Sequence, residues 1–230
     1  MRFQAPESLS EQIAQHIGQQ IISGAMPPGQ RIQELKVAGE LDVSRGSVRE
    51  ALLILERRHL INIYPRKGAV VAPLTPELIN NLYDIYVNLL VLLVETVVQR
   101  STPDSLEPML DRVRRLQNRI RSEDVTSREV IESGFEVMNS SYPVIQNPYL
   151  EETLENFRPA VSRTYYLALE RYREERATTE KYFVSLAESV LHKDAEAAKT
   201  LTREFGERQR EIVLQALEND NTLSADESSS

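Results

Sequence analysis

The 230-residue sequence contains no cysteine, which excludes disulfides, zinc–thiolate sites and cysteine nucleophiles. Histidine is scarce: of three residues, only His192 lies beyond residue 75, and a lone histidine on a helix is ordinarily structural or solvent-facing. No Ser–His–Asp set, phosphate-binding loop or dinucleotide fingerprint is present, so the residues point away from an enzyme. The longest uninterrupted apolar run, residues 89–94, ends at Glu95 and falls short of the ~20 residues that a bilayer-spanning helix needs. Residues 1–10 hold neither an apolar stretch nor a small-residue cleavage pattern, so the expectation is a cytoplasmic protein with no membrane partner.

Apolar residues make up 41% of the chain, ample for a packed core, and the length suits one large domain or two modest ones. The net charge of −8 is unevenly spread. Residues 1–75 carry nine basic and seven acidic side chains, a balance of +2 that leaves −10 for the remainder. One end of such a chain can face phosphate while the other is repelled by it. A two-charge excess is ordinary in itself, so placement carries the argument.

Leu9, Ile13, Ile17 and Ile21 recur at four-residue spacing, predicting an amphipathic helix capped by Ser8 or Ser10. Pro27-Pro28-Gly29 is a turn. A short helix follows over 33–41, then a tight connection whose Ser44 suits the cap of a helix over 45–58. Residues 61–64 and 69–72 read as strands joined by Pro65-Arg66-Lys67-Gly68, a hairpin with a basic tip. This order predicts a winged helix-turn-helix, in which the third helix enters the major groove and the wing lies near the backbone. Arg45, Gly46, Ser47 and Arg49 occupy the exposed start of that helix, where backbone N–H groups also favour phosphate. Val48, Ala51, Leu52 and Leu55 mark the face that packs inward. Taken singly, Arg45 and Arg49 read equally well as solvated helix charges; the turn before them and the basic hairpin after them favour DNA.

Pro73-Leu74-Thr75-Pro76 marks a domain boundary. Beyond it only helical patterns appear, near 77–100, 104–122, 127–141, 148–173, 177–192 and 194–218, with a polar tail over 219–230 expected to be disordered. The predicted fold is mainly α: a winged helix-turn-helix over 1–75 and an all-helical bundle over 76–218 that dimerises and binds an effector.

Three segments carry a resemblance: Pro28-Gly29-Gln30-Arg31-Ile32, then Leu41 through Leu52, then Pro65 through Val71. Together they resemble the GntR family of bacterial transcription regulators over essentially all of residues 8–74. The resemblance implies a homodimer, commonly a repressor, on a short palindromic double-stranded DNA operator. It implies that Arg45, Arg49 and the wing tip Arg66, Lys67 and Gly68 contact DNA. The family's helix-2 arginine has Lys36 and Arg31 as its nearest counterparts here. His59 stands where the family usually has glycine, and is expected to be a surface turn residue.

The helical part resembles the FCD form of the FadR-type branch, on its helix count, Asn147-Pro148-Tyr149-Leu150 and the Asp194–Ala198 helix start. That form usually binds a divalent metal through an aspartate and three histidines, and through it a small carboxylate. Carried onto this chain, the ligand positions fall on Glu132, Glu136, Phe183 or a near neighbour, and Phe205. Phenylalanine has no lone pair to donate, so no metal cofactor is expected. Glu132 and Glu136, one turn apart, also suit a solvated face. The arginine that would pair an effector carboxylate falls on Tyr86. The remaining candidates, Tyr83, Tyr86, Leu90, Phe135, Met138, Tyr165, Phe183 and Phe205, suit an apolar or amphipathic effector whose polar head the tyrosine hydroxyls orient. Equally open is a domain whose aromatic residues fill the cavity and which only dimerises. Fusions to aminotransferases occur in other GntR branches, but they need a longer chain and a cofactor lysine. A winged head that binds protein instead is the third reading, separable by replacing Arg45 and Arg49.

Overall fold

The computed structural model describes residues 8–227, and the side chains of residues 8–219. The fold is mainly α with one three-stranded sheet, a winged helix-turn-helix followed by a helical bundle. By contacts the chain divides into two compact units: residues up to Leu74 with Glu155–Arg163, and Thr75–Leu154 with the residues from Thr164 onward.

In the first unit, α1 (Leu9–Ile22) is opened by Ser8, whose side chain accepts from the Glu11 N–H. Ser10, the other expected cap, is buried inside the helix and donates to Glu50. Ile13, Ile17 and Ile21 enter the core, whereas Leu9, on the same stripe but in the first turn, is half exposed. A short strand β1 (Arg31–Ile32) precedes α2 (Glu34–Leu41) and α3 (Arg45–Arg57), and β2 (Ile61–Tyr64) and β3 (Gly68–Val71) follow. The sheet order is β1-β3-β2, antiparallel throughout, with Ile61 opposite Val71 and Tyr64 opposite Gly68. The strand β1 has no counterpart in the sequence reading, because two residues carry no alternation; pairing of Arg31 with Val70 and Ile32 with Ala69 creates it. Val48, Ala51, Leu52 and Leu55 of α3 pack with α1, Ile32, Leu60 and Val71 into one core. After α3 the chain reverses at His59, exposed and left-handed at φ 58°. That conformation is why glycine is favoured at such a place.

The second unit contains α4 (Pro76–Arg100), α5 (Pro103–Ile120), α6 (Ser127–Asn139), the single turn α7 (Tyr142–Ile145), α9 (Glu175–Leu191), α10 (Ala195–Glu227) and both ends of α8 (Pro148–Arg171), whose middle, Glu155–Arg163, belongs to the first unit. Caps set the starts. Thr75 and Asn147 each precede a proline at the first helical position, Thr102 and Thr126 make reciprocal capping boxes, and Asp194 accepts from Ala197 N–H. The helix α10 runs on to Glu227, through residues where composition predicts a disordered tail. No glycine or proline follows Gly206, so nothing in the backbone stops the helix. The last three residues of that expected tail lie outside the described residues.

The helix α4 packs most extensively on α10, while α5 meets α6 and α9. Among the described residues it is also the one helix long and apolar enough to cross a membrane, with a mean hydropathy of 1.5 over its most apolar stretch. The six-residue run read from the sequence understates this, because Asn88 and Glu95 bound it while Leu82, Ile85, Val87, Val97 and Val98 lie on either side. Here Ile79, Tyr83, Tyr86, Val87, Val91, Val94 and Val98 are buried within the bundle.

The C-terminus of α4 is held from far along the chain. Lys193, left-handed at φ 58°, donates from Nζ to Val98 O at 2.9 Å and to Ser101 Oγ at 2.7 Å. A cation at this end also opposes the helix dipole. Lys193→Met keeps the stem and the strained backbone but removes the ammonium. Its expected cost is about 1–2 kcal/mol, read as a lower urea midpoint at unchanged slope. An unchanged midpoint would show these contacts to be energetically idle.

Candidate functional site

The helices α2 and α3 join through Asp42 in the left-handed region at φ 52°, and Val43 N–H returns to Ala38 O. Ser44 then caps α3: its Oγ accepts from Ser47 N–H at 3.0 Å and meets Ser47 Oγ at 2.9 Å. With Val48, Ala51, Leu52 and Leu55 buried, helical periodicity turns Arg45 and Arg49 outward. Their side chains are 53% and 63% exposed, so neither is spent on the protein's own core. Gly46 is exposed beside them, and a Cβ there would meet only Ser44 Oγ at an ordinary 3.6 Å. No packing within the protein requires that glycine.

A residue the sequence reading passed over organises this face. Glu34, in the first turn of α2, accepts from Arg49 Nε at 2.8 Å and lies 3.4 Å from Arg45 Nη2. One carboxylate between two guanidinium groups leaves a net positive charge and restrains two long side chains before any partner arrives. Its only local signal is an acidic residue opening a helix; the pairing needs the turn at Asp42.

The wing tip is exposed. Arg66 is left-handed at φ 64° and Gly68 at φ 79°, and Lys67 Nζ sits 5.7 Å from the Tyr64 ring centroid. Glycine at 68 is thus required by the backbone. Arg31, on β1, comes to the base of this turn: its Nε and Nη2 lie 3.9 Å from where a Cβ on Gly68 would stand. Lys36 is exposed on α2 and pairs with Glu40 at 3.8 Å, away from the Glu34 cluster. The structure therefore gathers Arg45, Gly46, Ser47 and Arg49 on one helix start, and Arg31, Arg66, Lys67 and Gly68 around the wing.

The helical unit holds a cavity of about 90 Å³. Its wall includes Tyr86, Leu90, Phe135, Met138, Tyr165, Phe183 and Phe205. Tyr83, expected with them, is outside the wall: it is fully buried, and its hydroxyl lies 3.1 Å from Thr164 Oγ1. Three residues apart on α4, Tyr83 and Tyr86 differ in facing by about 60°, and packing sends one to α8 and the other to the cavity. Tyr182, not anticipated, stacks on Phe205 at 4.0 Å and 3°. The Phe183 ring lies against Gly134, where a Cβ would come within 3.2 Å. Burial pushes the Tyr182 hydroxyl up to about 12 and the Tyr165 hydroxyl well above the usual tyrosine range, so both stay neutral.

The metal implied by the FCD resemblance does not fit these residues. Glu132 is bound to Arg128 and Glu136 to Arg112, each at 2.8 Å, and neither is on the cavity wall. Phe183 and Phe205 put carbon where histidine nitrogen is needed. Among the described residues no three His, Asp, Glu or Cys side chains are grouped to hold an ion. His192 Nδ1 is engaged with Glu188 O at 2.8 Å on an exposed helix end.

Comparison with known proteins agrees with this geometry. The sequence profile of the GntR family, bacterial regulatory proteins, matches residues 9–71, and that of the FCD domain matches residues 81–208. The chain is 36% identical over 104 residues to the gluconate operon transcriptional repressor of Bacillus subtilis (strain 168), covering 45% of this chain and 40% of that protein. It is 34% identical over 86 residues to the uncharacterized HTH-type transcriptional regulator YdhC of the same strain, covering 37% of this chain and 38% of that one. The chain thus spans about two fifths of the length of the curated relatives it matches. Among solved structures, E. coli McbR/YncC aligns over 91% of this chain and 99% of its own with a TM-score of 0.76 at 22% identity. A GntR transcriptional regulator from Rhodococcus sp. RHA1 aligns over 91% and 99% with a TM-score of 0.71 at 21% identity. At such identities the likeness speaks for the fold. The families matched are those of transcription regulators, not enzymes. With a winged helix-turn-helix that turns two arginines outward and a helical unit matched over more than half of the sequence, the chain belongs to the GntR family of bacterial regulatory proteins and carries an FCD domain.

Proposed function

We propose that the protein acts in the cytoplasm as a homodimeric transcription regulator, binding a palindromic DNA operator and responding to a small apolar molecule in its helical cavity. The observation that carries the reading is the outward pair Arg45 and Arg49 at the capped start of α3, pre-ordered by Glu34 and flanked by the basic wing. In this reading Arg45 and Arg49 reach base edges or phosphates in the major groove. Arg31, Arg66 and Lys67 neutralise backbone phosphates, and Gly46 and Ser47 let the helix approach closely. Lys36 serves at most as a peripheral phosphate contact. The 1–75 segment is the reading head and 76–218 the effector and dimerisation domain.

A face for the second copy is available on α4. Leu78, Ile85 and Leu92 recur every seven residues and are 47%, 53% and 45% exposed, with Leu82 and Leu89 partly exposed between them. That alternating spacing of four and three suits a helix-on-helix seam, and it accounts for the apolar character of α4 without a membrane. Effector binding acts by favouring one arrangement of the two reading heads over another.

The test is selection of bound fragments from a random double-stranded DNA library with the full chain. The expected result is enrichment of a two-fold symmetric site, with affinity falling as salt rises by a slope of about −0.9 per phosphate neutralised. Absence of any enriched sequence sinks the regulator reading. Enrichment of a single unpaired half-site sinks the homodimer.

A further inference from the structure

We infer that the helical cavity takes an uncharged, largely apolar molecule with one hydrogen-bond-accepting oxygen, such as an ester or ketone carbonyl, and that the side-chain amide of Gln209 receives that oxygen. The inference rests on the reading of the helical unit as ligand-responsive, and it names the chemistry of the ligand.

Among the described residues, no lysine, arginine, histidine, aspartate or glutamate forms part of the wall. An ion entering would give up its hydration and meet no counter-charge, which excludes the carboxylates that a metal-bearing cavity would accept. The ligand must therefore be neutral.

Two of the three tyrosines on the wall, Tyr86 and Tyr182, have hydroxyls turned to the protein itself. The Tyr86 hydroxyl is directed to Met138 Sδ at 3.7 Å, and the Tyr182 hydroxyl lies 3.3 Å from Thr202 Oγ1. Both are engaged within the protein. Gln209 differs. It stands on the wall, only 3% of it is exposed, and its amide Nε2 is buried without a hydrogen-bond partner. A donor left so disfavours folding, and an apolar side chain of the same shape would serve the unliganded domain better. Glutamine at this place is thus a feature for something that enters, and what an amide N–H seeks is an acceptor. Phe205 lies one helical turn before Gln209 and stacks on Tyr182, so the carbonyl of a ligand at the amide leaves its apolar body against aromatic faces. Gly134 keeps the Phe183 ring from being pushed further into the space.

The experiment titrates the full chain calorimetrically, at neutral pH, with methyl octanoate, octanoate and octylammonium. Methyl octanoate is expected to bind at least about tenfold more tightly than either ion. Gln209→Leu is expected to raise the melting temperature of the unliganded chain while weakening methyl octanoate by about tenfold. A merely structural glutamine would give the opposite sign for the melting temperature. Octanoate binding as tightly as the ester, no ester binding, or unchanged ester affinity in Gln209→Leu overturns the inference. Operator affinity is then measured with and without saturating ester. Ester binding that leaves it unchanged overturns the gating reading and leaves the ligand assignment standing.

Discussion

Arg45→Ala combined with Arg49→Ala is expected to lower operator affinity by about a hundredfold or more, with melting temperature and oligomeric state unchanged. Each arginine in a groove is worth about 1–3 kcal/mol, and 1.4 kcal/mol is a factor of ten. The fold does not depend on them: both side chains are more than half exposed, and exposed ion pairs such as theirs with Glu34 contribute about 0–1 kcal/mol. The double replacement also leaves the Glu34 carboxylate unpaired toward the phosphates, which adds repulsion. Restoring part of the lost affinity by Glu34→Gln in the same chain is therefore expected. Fluorescence anisotropy over a range of salt separates the two roles an arginine can have. Loss of a phosphate contact flattens the salt slope by about one, whereas loss of a base contact relaxes sequence preference at unchanged slope. Full affinity in the double variant would place the DNA contact elsewhere on the protein.

Gly206→Val is expected to destabilise the helical unit by about 3 kcal/mol or more, the largest effect of any single replacement considered. Gly206 lies within α10, where glycine costs about 1 kcal/mol relative to alanine, so helix formation alone disfavours it. Packing explains it. A Cβ at this position would come within 2.4 Å of Val87 Cγ2 and 3.2 Å of Cγ1, on the helix α4 that α10 crosses. Valine in a helix is held in one dominant rotamer, so Val87 cannot swing away at small cost. Without its γ carbons the nearest remaining Val87 atom would be Cβ at 3.4 Å, an ordinary contact. Gly206→Ala and Val87→Ala are each expected to destabilise, and together to cost less than their sum by about 1–2 kcal/mol. Urea unfolding of the four proteins measures this coupling. Strict additivity would mean that α4 and α10 adjust their separation freely.

How much of this is legible in the sequence follows from the range of the forces involved. The start of α3 was readable because every determinant is local: Ser44 as cap, the spacing of Val48, Ala51, Leu52 and Leu55, and two arginines left over for the outer face. The hairpin was readable for the same reason, from β-branched runs around a Pro-to-Gly turn. At Phe183 and Phe205, the positions where the FCD resemblance implies metal ligands, the chemistry of the side chain already argues against an ion. By contrast, Tyr83 and Tyr86 look alike in sequence, and only the packing of α4 puts Tyr86 on the cavity wall. Gln209, between Arg208 and Arg210, reads as one more polar residue of a solvated helix; its burial comes from the helices around it.

By itself, then, the order of residues determined the helices, their caps, the hairpin and the charge on the DNA-reading head. These depend on dihedral preferences and periodicities that act over one or two turns. Tertiary structure alone decided that two residues at Arg31 become a strand, that Glu34 gathers two arginines, that Lys193 closes α4 from 92 residues away, and that an unpaired amide ends at an aromatic cavity. Each of those requires groups distant along the chain to meet, and which groups meet is settled by how the whole apolar surface is buried.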